Sequence, residues 1–234
     1  MRVFEAFAGY GSQAMALRNI GVPYRVVGIS EIDPYAIRAY MAVHGETRNY
    51  GDISKIDWGE VEDFDFFTYS FPCTDLSNAG KQAGMDEGSG TRSSLLWECR
   101  KAVLAKHPRY LLMENVKALV SDRFRPGFLK WCDFLTGEGY TNFAEVLNAK
   151  DYGIPQNRER VFVVSIWGDA WFSFPQPKEL TVKLVDLLEE EVEEKYYLDQ
   201  ARVNQFIAQL SEEKLRLLEA EKEDGMRRGI MRRV

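Results

Sequence analysis

Residues 2–21 read RVFEAFAGYGSQAMALRNIG, and the order of residue types in this stretch sets the fold. RVFEAF is an apolar run of strand composition, FAGYGSQA turns the chain with two glycines, and SQAMALRNIG carries helical spacing and closes on a glycine. Strand, glycine turn and helix are the opening of a βαβ unit. The pattern continues through the strand-like runs YRVVGISE, DFDFFTYS, RYLLMEN, FAEVLNA and RVFVVSIW. Helical segments lie between several of them: PYAIRAYMAVHG, SLLWECRKAVLAKHP, which stops before a proline, and FLKWCDFLTGEG. The alternation predicts an α/β fold with a mostly parallel sheet and helices on both faces.

With 234 residues, 45% of them hydrophobic, the chain can bury a sizeable core and fits one domain, or one domain with an appendage. No apolar run is long enough to span a bilayer and the first residues lack a signal-peptide pattern, so the expected compartment is the cytoplasm, without a membrane partner. Cys73, Cys99 and Cys132 are too scattered for a disulfide framework or a metal site and are expected to be free thiols. The net charge of -6 excludes a surface that is basic throughout, while leaving room for a local positive groove. After FPQP at 174–177 the sequence turns acidic and helical in pattern, which places a boundary between a domain at 1–177 and an extension at 178–234. Val203, Phe206, Ile207, Leu210, Leu215 and Leu218 there recur at near-helical spacing. The tail carries Arg227, Arg228, Arg232 and Arg233, which suit a solvated end or a phosphate contact.

Ligands of open parallel sheets sit at the carboxyl ends of the strands, so the residues that end each run are the candidates. Gly9-x-Gly11-x-x-Ala14 permits a tight turn and close approach of the backbone to a ligand. Glu31 ends the second run twenty residues after Gly11, the distance at which a carboxylate meets a ribose diol. Together they read as an adenosine pocket, although a nicotinamide dinucleotide suits the same spacing and a glycine turn also serves plain packing. Asp52, after a third apolar stretch, is placed to accept from an adenine amino group or to cap a turn. Phe7 is placed to stack on a base or to join the core.

Cys73 follows Pro72 at the end of DFDFFTYS, where proline fixes the backbone that aims the thiol; the plain alternative is a small buried hydrophobe. Glu114 ends RYLLMEN, an awkward place for a carboxylate unless it is paired or used. Gln156, Arg158 and Arg160 alternate at period two and would share one face, for catalysis or for ordinary salt bridges.

With those residues in view, the sequence resembles the catalytic part of the cytosine-C5 DNA methyltransferases. FAGYGS is similar to the family's cofactor loop, SEIDPYA to its ribose clamp, GDI to its adenine contact and FPCTDLSNAGKQ to its Pro-Cys loop. GTRSSLLWE, ENV and YGIPQNRERVFVV follow in the family's order, so the likeness runs from about residue 2 to 177. The resemblance implies a Rossmann-like S-adenosylmethionine-dependent methyltransferase fold. It further implies that Phe7, Ala8, Gly9, Gly11, Ser12, Glu31, Ile32, Asp52, Ile53, Pro72 and Leu95 line the S-adenosylmethionine site, while Cys73, Glu114, Arg158 and Arg160 serve a flipped-out cytosine. A loop from Thr74 to Arg92 with Gly80, Lys81, Gly84, Gly88 and Gly90 is expected to act as a lid.

One departure shapes the expected partners. In the family a target-recognition region and two further motifs follow the Gln-x-Arg-x-Arg segment, whereas this sequence runs out near KYYLDQARVNQFI. The expectation is double-stranded DNA as substrate, without a metal, and a second polypeptide carrying the recognition region, or else a longer chain of which this is a piece. A transfer-RNA cytosine methyltransferase on the same fold and a non-catalytic cofactor- or partner-binding module are the competing readings. The Pro-Cys-Thr-Asp-Leu-Ser run favours DNA over the first, and an intact Cys73, Glu114 and Arg160 argue against the second.

Overall fold

In a computed structural model, which describes residues 1–76, 83–212, 214 and 216, the chain divides into two compact units, Met1–Thr181 and Val182–Val234. The first unit is built on a six-stranded sheet of β1 (Arg2–Ala6), β2 (Arg25–Ser30), β3 (Phe66–Tyr69), β4 (Tyr110–Val116), β5 (Tyr140–Asn148) and β6 (Glu159–Trp167). Its strand order is β2-β1-β3-β4-β6-β5. These are the six apolar runs of the sequence, joined by α1 (Ser12–Asn19), α2 (Pro34–His44), α3 (Cys99–Lys106) and α4 (Arg125–Gly137).

The β2-β1-β3-β4 half is parallel, and β6 alone is reversed, pairing antiparallel with both β4 and β5. Only residues 149–158 join β5 to β6, and they hold a short 3-10 turn at Ala149–Tyr152. A connection that short cannot carry a crossover helix, so it returns the chain as a hairpin. The third apolar stretch, before Asp52, forms no strand; it contributes one bridge, Asn49 beside Ile29.

Side-chain alternation sends β1 in two directions. Phe4 packs among Trp58, Phe64 and Phe67 in the larger core, which Trp131 and Leu135 of α4 and Val103 of α3 complete. Glu5 faces the other way and meets Ala14 of α1 and Tyr40 of α2. Helices therefore cover both faces of the β1 half of the sheet.

In the second unit the acidic run is not one helix. It makes 3-10 turns at Leu184–Leu187 and Glu194–Tyr196 before α5 (Gln200–Ala208), and Glu212, Lys214 and Arg216 are helical beyond a break at residues 209–211. Glu189 with Glu193 and Glu190 with Glu194 would stand four apart on a helix and repel. Leu215, Leu218 and the four tail arginines lie outside the described residues. No helix among the described residues is long and apolar enough to cross a membrane.

Candidate active site

The carboxyl ends of β1 and β2 are joined through one carboxylate. Gly9 N–H donates to Glu31 Oε2 at 2.9 Å, while Glu31 Oε1 accepts from Ile32 N–H at 2.8 Å and Asp33 N–H at 2.9 Å. Glu31 thus ties the glycine loop to the start of α2, whose first turn Asp33 caps by accepting from Tyr35 and Ala36. Gly11 has φ of +80°, and a Cβ there would lie 2.6 Å from the Tyr40 ring and closer still to His44 Nε2. Phe7, with φ of +54°, is a non-glycine residue in the left-handed region, a strained conformation of the kind found where a backbone is held for function.

A cavity of about 250 Å³ opens beside this loop, lined by Phe7, Glu31, Ile32, Asp52, Ile53, Pro72 and Leu95 among others. Seven of the residues expected at the cofactor are thereby gathered in one place. Asp52 also does the plain work foreseen for it: its Oδ1 accepts from Ser54 N–H and Oγ at the start of a 3-10 turn, Ile53–Lys55, and these bonds hold its pKa down. Ala8, Gly9 and Ser12 line a second, larger groove of about 770 Å³, which Phe7 shares. Gly11 lines neither cavity and instead packs its backbone against α2.

That larger groove leads to the other group of expected residues. Glu114 on β4 and Arg160 on β6 meet across antiparallel strands, Nε to Oε1 at 3.1 Å, with side chains 21% and 23% exposed. Arg158 joins them in the groove wall, and its N–H donates to Asn148 Oδ1. Gln156 does not line this groove; with Arg158 and Arg160 it borders a neighbouring hollow of about 790 Å³ between residues 116–124 and 156–160.

Cys73 is half-buried just past β3, in the first turn of the Pro-Cys loop, and its thiol is free. Burial pushes Cys132 up to about 11 and holds the fully buried Cys99 well above the ordinary thiol range. Of the expected lid, Ser77 to Gln82, with Gly80 and Lys81, lies outside the described residues.

Several residues at the site escaped the sequence reading. Glu5 is fully buried, accepting from Ala14 N–H at 3.1 Å and Tyr40 O–H at 2.5 Å, and burial raises its pKa. Asn115 donates through Nδ2 to Phe71 O at 2.9 Å, and Ser93 Oγ donates to Pro72 O at 2.7 Å. The available signal was a charged residue inside an apolar strand for Glu5; the other partners are more than twenty residues apart.

A family model described as C-5 cytosine-specific DNA methylase matches residues 1–225. The chain belongs to that family, whose members transfer a methyl group to carbon 5 of cytosine in DNA. The type II methyltransferase M2.ScrFI of Lactococcus lactis subsp. cremoris is 43% identical across 87% of this chain and 72% of its own length. The orphan methyltransferase M.SPRI of Bacillus phage SPR is 34% identical over 92% of this chain and 56% of its length. The chain thus spans between about half and three quarters of these two relatives. Among solved structures, the S. pombe Dnmt2 methyltransferase superposes with a TM-score of 0.69 over 90% of this chain and 67% of its own, at 20% identity, which shows the fold alone. None of these relatives supports the expected second polypeptide.

Proposed function

We propose that this chain transfers a methyl group from S-adenosylmethionine to carbon 5 of cytosine in double-stranded DNA, with Cys73 as nucleophile. The observation that carries the reading is the Glu114–Arg160 pair, held 3.1 Å apart in the same groove as the glycine loop.

The donor set fits the cofactor. Glu31 keeps lone pairs for a ribose diol beyond its three backbone bonds, Ile32, Ile53 and Leu95 offer apolar walls to an adenine, and Phe7 offers an aromatic one. Asp52 can accept from the exocyclic amino group. Ser12 opens α1, whose N-terminus favours a carboxylate, and the turn before it is fixed by Ala8 N–H on Ser30 O, Gly9 N–H on Glu31 and Gly11 N–H on Ala8 O. When bound, the cofactor supplies an electrophilic methyl group on a sulfonium.

Carbon 5 of cytosine is a weak nucleophile while the ring is aromatic. The Cys73 thiolate adds to carbon 6, forming a carbon–sulfur bond and moving the ring π electrons toward carbon 5 and nitrogen 3. Glu114, carrying a proton, donates to nitrogen 3, and Arg160 holds the carbonyl oxygen, with Arg158 beside it in the groove wall. Once carbon 5 has gained the methyl group it loses its proton, and the electrons left behind expel Cys73, which is recovered unchanged. Because carbon 6 is hidden in a duplex, the base must be turned out of the helix. The type II relatives fit a restriction-modification setting and a cytoplasmic place of action.

The test is 5-fluorocytosine DNA with S-adenosylmethionine. Fluorine cannot leave as the proton does, so the wild-type chain should be trapped as a covalent adduct, Cys99→Ser and Cys132→Ser should be trapped alike, and Cys73→Ser should not. Failure of the wild type to form the adduct, or its survival in Cys73→Ser, overturns the reading.

A further inference from the structure

Past Tyr69 the chain leaves the sheet ladder, and the two carbonyls before Cys73 have no strand partner. Buried carbonyls need one. Phe71 O is taken by Asn115, and Pro72 O by Ser93 Oγ at 2.7 Å. Ser93 is fully buried, 21 residues away, in the 3-10 segment Arg92–Glu98 that also carries Leu95.

The link is reciprocal. Asp75, nearly buried, accepts the Ser93 N–H on Oδ2 at 3.2 Å, and the Asp75 N–H points back to Ser93 Oγ at 3.4 Å. Thr74 Oγ1 adds a 3.4 Å contact to the same Asp75 oxygen, Gly84 N–H donates to Asp75 O at 3.1 Å, and Leu76 N–H closes a turn on Cys73 O at 3.0 Å. Cys73 therefore sits between two residues, Pro72 and Asp75, that are both bonded to one buried serine.

We propose that Ser93 and Asp75 are positioning residues that clasp the Pro72–Cys73 turn and fix the direction of the thiol. The proposal rests on Cys73 acting as the nucleophile. An attack trajectory tolerates little error: reacting atoms must meet at about 3–3.5 Å, and a misplacement of about 1 Å costs on the order of a hundredfold in rate. Neither side chain needs to touch the base or the cofactor to have this effect. Ser93 is inaccessible to both, and Leu95, two residues on, carries the cofactor contact instead.

Three measurements on Ser93→Ala test the clasp. Amide hydrogen exchange of the segment 71–76 should quicken about tenfold or more while residues 110–116 stay unchanged. S-adenosylhomocysteine affinity should stay within about twofold of wild type, and the 5-fluorocytosine adduct should form about 10- to 100-fold more slowly. Asp75→Asn, which keeps an oxygen for the Ser93 N–H, should lose less than Asp75→Ala. Unchanged exchange across 71–76, or an unchanged adduct rate, overturns the proposal. So does a parallel loss of adduct and cofactor binding with faster exchange throughout the sheet, which would mark Ser93 as a general folding residue. Should wild type form no adduct, the methyl-transfer reading fails, and the exchange of 71–76 still decides whether the clasp exists.

Discussion

Glu5 and Glu114 stand on one face of one sheet, with only β3 between their strands in the order β1-β3-β4, and have opposite surroundings. Glu5 lies under α1, fully buried, and its two oxygens are satisfied by neutral donors, Ala14 N–H and Tyr40 O–H. Glu114 lies in the open groove, 21% exposed, against the cation of Arg160. The first carboxyl is spent on structure: it holds the N-terminus of α1 against β1 and so shapes the glycine loop. The second keeps lone pairs, solvent access and a partner that can move, which is what a group that must meet an incoming base requires. The face of the sheet is thus the same for both, and what covers it decides the role.

The largest effect should come from breaking the open side. Glu114→Gln keeps the shape and loses the proton donor, so methyl transfer from labelled cofactor should fall on the order of 10²–10³-fold. Cofactor affinity, read by calorimetry, should stay within about twofold, because the residues lining the smaller cavity do not include Glu114. A matching loss of cofactor affinity would show that the two sides are not separate.

Next in size is the covered side. Gly11→Ala combines a positive φ with overlap on Tyr40 and His44, and should cost about 3 kcal/mol of stability together with most of the cofactor affinity. Gly9→Ala is the control two residues away. Its φ is +56° but nothing lies within 4 Å of the added Cβ, so thermal melting should show a loss of only about 1 kcal/mol. Equal losses at both positions would mean that the packing beneath Gly11 contributes nothing.

The same contrast explains what the sequence could and could not disclose. The six strands, the glycine turn and the spacing of Glu31 were readable because they are local: strand composition, punctuation by glycine, and a fixed distance within one βαβ unit. The reversal of β6 was readable in principle, since YGIPQNRE leaves no room for a crossover helix, yet strand-helix alternation elsewhere suggested a parallel sheet. The missing strand before Asp52 and the broken acidic helix show apolar and helical patterning overridden by bridge geometry and like-charge crowding. Ser93, Asp75 and Asn115 were not readable as supports of the Pro-Cys turn, because their partners lie 18 to 44 residues away and their residue types are ordinary. Phe7 was foreseen at the cofactor, but its left-handed backbone was not, since that conformation is imposed by the loop that glycines 9 and 11 complete.

The smallest expected effect is a pH dependence that belongs to Glu5 alone. Burial raises its pKa above the ordinary 4.5, against the opposing pull of the Tyr40 and Ala14 hydrogen bonds and of nearby His44. A carboxyl with a higher pKa folded than unfolded holds more protons in the native state, so its contribution is fully present below 4.5 and is lost as pH rises through the folded value. Glu5→Gln cannot titrate. The wild-type melting temperature, measured relative to Glu5→Gln, should therefore rise as pH is lowered from about 7 toward 4.5. Asp52, Glu62 and Asp65, whose pKa values are depressed by Ser54, Arg25 and Arg2, lose stability on acidification in both proteins and cancel in the difference. Repeating the pair in a His44→Gln background removes the attraction of a charged imidazole for Glu5, which would otherwise favour the wild type in the same direction. A difference that stays flat with pH in that background, or that moves against the wild type on acidification, would show that burial beneath α1 does not raise the Glu5 pKa.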